Sequence, residues 1–204
     1  MIRHVAAGIF FFVICMPIPA PSYAGTGYTN DQVITITRDL GQKIEMSDLK
    51  ISDLVENFKQ VCNQDEYKEA TKNKAISAVF VYRATEAGLI YKKMSGSGFI
   101  LFRQNGKSSR IKLESSSLGA QIGGSAEWGL GLVIGLKDPE NFGGAYSGQK
   151  RSATAMDSTI ARGEVFSNSS SVESNRAHDI MLILTGRGLS AGKSKSKIII
   201  TLEK

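Results

Sequence analysis

Hydrophobic and polar positions along the chain change period once, near residue 75. Upstream of it, Ile51, Leu54, Val55, Phe58 and Val61 recur at helical spacing, with Asp53, Glu56, Lys59 and Gln60 between them. This predicts an amphipathic, core-facing helix capped at Ser47 or Asp48. Val33, Ile34 and Ile36 fit either a short strand or the inside of a helix ending at Leu40-Gly41, and 64–74 reads as a second short helix. Downstream the period is two. Strands are predicted over 76–82, 88–91, 96–103 and 110–113, with small residues over 153–161 and two apolar runs over 179–185 and 197–202 as a closing pair. Residues 137–152 read as loop or a short helix between turns, and 163–175 as serine-rich loop.

The stretch 117–136 organises the rest. Trp128, Leu130, Leu132, Ile134 and Leu136 alternate with Gly129, Gly131, Val133 and Gly135, and Leu118, Ala120 and Ile122 alternate with Gly119, Gln121 and Gly123. Two neighbouring strands joined at Gly124-Ser125 would share one bulky side and one almost bare side. A row of glycine in a strand marks the close approach of something else. The protein's own elements are the commoner occupant, a ligand tail the sharper one.

Asn105-Gly106 between alternating runs predicts a hairpin on a two-residue turn. In that register Ile100 faces Ile111, Leu101 faces Arg110, Phe99 faces Lys112 and Arg103 faces Ser108. One face then carries Ile100, Phe102, Ile111 and Leu113 as core. The other carries Phe99, Leu101, Arg103, Arg110 and Lys112, apolar at the base and cationic nearer the turn. Such a face suits an anionic lipid head group with its chain alongside; an ordinary covered face with snorkelling cations has the same pattern.

The N-terminus reads as a signal peptide. Arg3 precedes an apolar run from Val5 to Met16, prolines follow at 17, 19 and 21, and Ser22-Tyr23-Ala24 places small residues where a signal peptidase cuts. Cleavage after Ala24 is expected, giving a periplasmic or secreted protein. Cys15 follows Val13-Ile14 rather than the small residues of a lipoprotein signal. The remainder divides into a helical section, 25–74, and a β-rich section, 75–204. The first holds seven Lys/Arg and nine Asp/Glu, the second seventeen and ten, so the positive charge belongs to the β-rich part. A basic domain outside the cytoplasm fits anionic lipid or polysaccharide better than nucleic acid, and a merely soluble basic surface is the commonest explanation of such a count.

Catalytic chemistry finds little to draw on. Beyond residue 24 there is one cysteine, Cys62, expected as a buried thiol near a helix end, and one histidine, His178. No histidine- or cysteine-rich zinc site can be assembled from them. Gly129-Leu130-Gly131 lacks the third glycine of a dinucleotide fingerprint, and no G-x-x-x-x-G-K-[ST] occurs. Nineteen acids leave carboxylate pairs open. No catalytic residue, metal ligand or cofactor is assigned.

From Lys74 onward the chain resembles the SYLF domain, a lipid-binding module of bacterial exported and eukaryotic actin-patch and endosomal proteins. The matching residues are 75–81 (A-I-S-A-V-F-V), Ala87-Gly88, 97–101 (S-G-F-I-L) with Asn105-Gly106, and 117–124 (S-L-G-A-Q-I-G-G), which looks like the family's S-x-G-x-Q-x-G stretch. Residues 157–163 fit its small-residue run, and 186–192 (G-R-G-L-S-A-G) resemble its final K-G-L-F-A-G segment. Ser190 replaces that motif's aromatic, Leu184-Thr185 its tyrosine-serine, and Tyr82-Arg83 stand where a proline often follows the first strand. The resemblance implies lipid binding and no catalysis.

The expectation is therefore an α+β fold, a helical N-terminal section packed on a largely antiparallel sheet that could close into a barrel. Its expected function is non-enzymatic binding of anionic phospholipid at a membrane surface. Lipid would meet Phe99, Leu101, Arg103, Arg110 and Lys112, beside a glycine face of Gly119, Gly123, Gly129, Gly131 and Gly135. The alternative is a structural or partner-binding envelope protein with no lipid ligand.

Overall fold

The computed structural model describes residues 27–87, 91–118, 125–155, 158–159, 163–168, 178–186 and 191–203; towards several strand ends the backbone alone is described. Three helices, α1 (Asn30–Lys43), α2 (Asp48–Val61) and α3 (Asp65–Thr71), precede nine strands. The strands are β1 (Ile76–Ala87), β2 (Tyr91–Phe102), β3 (Ser108–Leu118), β4 (Ser125–Ile134), β5 (Gly144–Ala155), β6 (Ser158–Thr159), β7 (Gly163–Asn168), β8 (Asp179–Gly186) and β9 (Ala191–Glu203). Eight of them run β5-β7-β8-β4-β1-β2-β3-β9, and β9 pairs back onto β5 to close an antiparallel barrel. Closure removes the exposed edges an open sheet would present. The two-residue β6 pairs only with the end of β5.

The period-two pattern sorts residues between two cores. Ala78, Phe80, Tyr82, Ile100, Phe102, Ile111, Leu113, Ile180, Leu182, Ile198 and Ile200 fill the barrel. Val79, Val81, Leu130, Leu132, Ile134, Met181 and Ile183 face outward and pack under the helices against Val33, Leu40, Leu54, Phe58 and Val61. Strands β1, β4 and β8 are thus buried on both faces and read as near-continuous apolar runs. The outer face of β3 and β9 carries the exposed Lys112, Glu114, Lys197, Thr201 and Glu203, with Ile199 a lone exposed apolar residue.

The ambiguous segment at 33–40 is a helix. Thr29 caps α1 with a reciprocal box: its Oγ1 accepts from the Gln32 amide (3.3 Å), and Gln32 Oε1 accepts from the Thr29 amide (3.0 Å). Ser47 occupies the N-cap position of α2 without a side-chain cap bond. Tyr28 N–H donates to the Ile76 carbonyl (2.9 Å), tying the start of α1 to β1.

The bare face of β4 packs against aromatic rings of the barrel itself. Phe80 lies directly opposite Gly131 and Tyr82 opposite Gly129 in the β1–β4 register. A Cβ on Gly131 would sit 2.0 Å from Phe80 Cζ, and one on Gly129 would sit 2.2 Å from Tyr82 Cζ. The device recurs across the barrel: Phe166 pairs with Gly148, where a Cβ would meet the ring at 2.5 Å. On its other side Tyr82 is opposite Gly98 of β2. Each of these rings lies over a position with no side chain, so the close approach expected at the glycines is made by the molecule's own core. Gly135 differs: it ends β4 with φ +81°, a turn conformation that favours glycine. Gly119 and Gly123 lie outside the described residues.

Several local expectations need correction. Of the two runs expected as neighbours, 119–124 lie outside the described residues; where β3 and β4 are described, β4 pairs with β1 and β8 while β3 pairs with β2 and β9. The two last strands do not pair with each other; the closing seam is β5–β9. Part of the segment read as loop over 137–152 is the strand β5, after a 3-10 turn at Pro139–Asn141, and part of 163–175 is β7. The Asn105-Gly106 hairpin has a longer turn: the Phe102 amide donates to the Lys107 carbonyl, and Gly106 takes φ +61°. Ile100 therefore pairs with Ser109 and Phe99 with Arg110. The slip is two residues, an even number, so each side chain keeps its face.

Gly131→Ala is expected to destabilise the barrel by about 1–3 kcal/mol, because a methyl must displace the Phe80 ring in a filled interior. Urea unfolding checks this, and Phe80→Leu in the same chain should recover part of the loss. Additive single effects would show that ring and glycine do not share the space.

Candidate anion site at the barrel–helix seam

Phe99 and Leu101 leave β2 on its outer face, half-buried and packed against the helix-side core. They lie where the cover of α1 ends and the open outer face of β3 begins. Arg110, opposite Phe99 in register, places its guanidinium carbon 5.6 Å from the ring centroid. Lys43, in the last turn of α1, places Nζ 5.9 Å from the same centroid. Two cations thus share one aromatic ring. Among the described residues neither has a carboxylate within 4 Å. Both cations are solvent-exposed, so the ring gathers two basic side chains, one from α1 and one from β3, at the surface.

Of the other expected residues, Lys112 lies two positions along β3, exposed, with Nζ 3.2 Å from Glu114. Arg103 serves the fold. Its amide donates to the Ser77 carbonyl (2.9 Å), its Nη1 donates to Gln32 Oε1 (3.3 Å), and its guanidinium lies 5.3 Å from the Tyr28 ring. It fastens the hairpin to the start of α1 and stands apart from the Lys43–Phe99–Arg110 group. Lys43 was not singled out from sequence. A basic residue in the last helical turn is ordinary dipole complementation, and only the packing of α1 on β2 brings it to Phe99.

Other polar groups offer weaker alternatives. Between α1 and α2 a groove of about 250 Å³ is lined by Arg38, Lys59, Asp48 and Glu56 over Ile51 and Val55. Its charges balance, so it holds no net attraction for an anion. Inside the barrel end, Tyr146 Oη accepts from the Gly143 amide (3.2 Å) and lies 2.7 Å from His178 Nε2. Both side chains are sealed from solvent, at 0% and 2% exposure, which leaves them no path to a substrate. Burial pushes the Tyr146 phenol well above the usual tyrosine range, against the lowering effect of the Gly143 amide. Burial also raises the Tyr67 phenol, helped by Cys62 beside it, and raises the half-buried Cys62 thiol. A thiol so shifted is a poor nucleophile.

Among the described residues no group of three or more His, Cys, Asp or Glu could hold a metal ion, and no helix is long and apolar enough to cross a membrane. No family model, curated protein or solved structure matches the chain.

The raised phenols set a sign for alkaline behaviour. Their folded values lie above the unfolded one, so their stabilisation is complete below about pH 10 and is lost as pH rises beyond it. Urea midpoints should fall above about pH 10. Tyr146→Phe should flatten that fall while lowering stability at neutral pH by about 1–3 kcal/mol, since it strips a partner from Gly143 N–H and His178. An unchanged alkaline slope would contradict the assignment.

Proposed function

We propose that the protein binds anionic phospholipid at a membrane surface of the cell envelope, without catalysing a reaction. One observation carries the reading: Lys43 and Arg110 meet at the half-buried ring of Phe99 with no described carboxylate to neutralise them. A lipid phosphate would sit against the two cations, with Lys112 adding longer-range attraction. The partly exposed sides of Phe99 and Leu101 would meet the glycerol and first methylenes. The excess of Lys/Arg after residue 75, the expected signal peptide and the SYLF resemblance support the same reading. The glycine row does not contribute a cradle, because Phe80 and Tyr82 occupy Gly131 and Gly129.

That same packing favours a second reading, an envelope protein that binds a protein partner and no lipid. Its glycines would then be purely structural. Recovery of one protein partner by pull-down, with vesicles left unbound, would select it.

Sedimentation with phosphatidylglycerol vesicles should show binding that phosphatidylcholine does not support and that weakens between low and physiological salt. Lys43→Ser and Arg110→Ser should each weaken it about fivefold, the worth of one cation near an anionic surface. Arg103→Ser should instead lower thermal stability. Isotherms indifferent to Lys43 and Arg110 would discard the site.

A further inference from the structure

The first half of β9 carries a row of lysines that takes no part in the site at Phe99. Lys193, Lys195 and Lys197 alternate there with Ser194 and Ser196. Alternation along a strand puts all three on one face, at intervals of about 7 Å. Lys197 fixes which face it is: its side chain is exposed, whereas Ile198 and Ile200, of the other parity, are buried in the barrel. The row therefore runs along the outside of the barrel.

Register widens it. The exposed Ser147 of β5 stands opposite Lys197, and two outward positions further along β5 Arg151 stands opposite Lys193. On the other flank Ser116 of β3 lies between Lys197 and the exposed Lys93 of β2. Over these registers, residues 147–153, 115–118 and 191–197 contain no Asp or Glu. The acids of this outer face, Glu114 and Glu203, lie farther along it, Glu114 within 3.2 Å of Lys112. Lysines often guard a sheet edge, but β9 is paired on both sides, to β3 and to β5, so there is no edge to guard. Like charges directly opposite each other, as at Arg151 and Lys193, weaken an antiparallel pair. The row thus helps neither to close the seam nor to pair it.

We propose that the outside of the β5–β9 seam binds a linear anionic polysaccharide along Lys193, Lys195 and Lys197. Three cations in line, spanning about 14 Å, match charges repeated along a polymer rather than the point charge of one head group. Ser116 and Ser147 place hydroxyls beside the row, able to donate to and accept from sugar hydroxyls. Single-stranded nucleic acid would need aromatic rings for its bases, and the described exposed side chains of β3, β5 and β9 include none. A bilayer would find only Ile199 as a large apolar contact on β9. This surface is separate from Lys43 and Phe99 and stands whether or not lipid binds there.

Calorimetric titration with heparin, a linear sulfated polysaccharide, tests it, with uncharged dextran as the control. Heparin should bind and dextran should not. Lys193→Ser combined with Lys195→Ser should weaken heparin binding about tenfold, the worth of two exposed charge contacts. The log–log salt dependence should flatten by about two, one for each cation removed from a polyanion contact. Lys50→Ser combined with Lys59→Ser removes the same charge from α2 and should leave both readings unchanged. Equal losses from the two pairs would show attraction to net charge alone and overturn the proposal, as would failure of the unaltered protein to bind heparin. Loss of phosphatidylglycerol vesicles from the β9 variant with heparin binding intact would assign the row to a bilayer and overturn it too. Should the β9 variant fail to fold, Arg151→Ser carries the same test, and heparin binding indifferent to it overturns the proposal. Lys43→Ser should leave the heparin titration unchanged, so failure of the lipid site and failure of this surface are separately visible.

Discussion

An eight-stranded barrel has a narrow bore, and the pairing of rings with glycines is how this chain fills it. Phe80 and Tyr82 project from one strand into a space that the facing strand must leave empty, and Gly131 and Gly129 leave it empty. Phe166 and Gly148 repeat the arrangement on the far wall. Any side chain at those glycines would overfill the interior. The cost of glycine in a strand, roughly 0.5–1 kcal/mol each relative to alanine, is offset by the burial of a whole aromatic ring, worth about 1.5–3 kcal/mol. Register follows from the same constraint, since a slip of one residue would put rings against Leu130 and Leu132.

Filling the bore from within sends the remaining apolar residues outward. The outer faces of β1, β4 and β8 are apolar and are covered by α1 and α2, while those of β3 and β9 are charged and open. The seam between the two regimes runs beside β2, where Phe99 and Leu101 are half-covered. There the last turn of α1 and the first residues of β3 contribute cations from separate parts of the chain.

Much of this was legible in the sequence, and the failures share a cause. The helix of 48–61, the two-sided strands, and the core face of Ile100, Phe102, Ile111 and Leu113 follow from periodicity, which is a local property. Periodicity also separated the bulky and bare faces of β4, but it could not name what filled the bare one. Phe80 and Gly131 are fifty-one residues apart, and their meeting depends on β1 lying beside β4. Strand order was misread for the same reason: the last two strands were expected to pair, whereas β8 lies between β4 and β7 and β9 between β3 and β5. The hairpin face survived a wrong turn length only because the error was even. Within the candidate site, Arg110 and Phe99 were found by counting along a hairpin. Lys43 needed the docking of a helix, and Arg103 carried the right charge but was drawn into holding α1 in place.

The most direct examination of the ring–glycine packing is the heteronuclear NMR spectrum of the folded protein, read at the α-protons of Gly129 and Gly131. Rings stacked over these positions should move both resonances well upfield of ordinary glycine, and Phe80→Leu should return that of Gly131 towards the usual range. Unshifted α-protons, indifferent to Phe80, would mean that the bare face is vacant, contradicting the account of how the barrel is filled and reopening that face to a ligand.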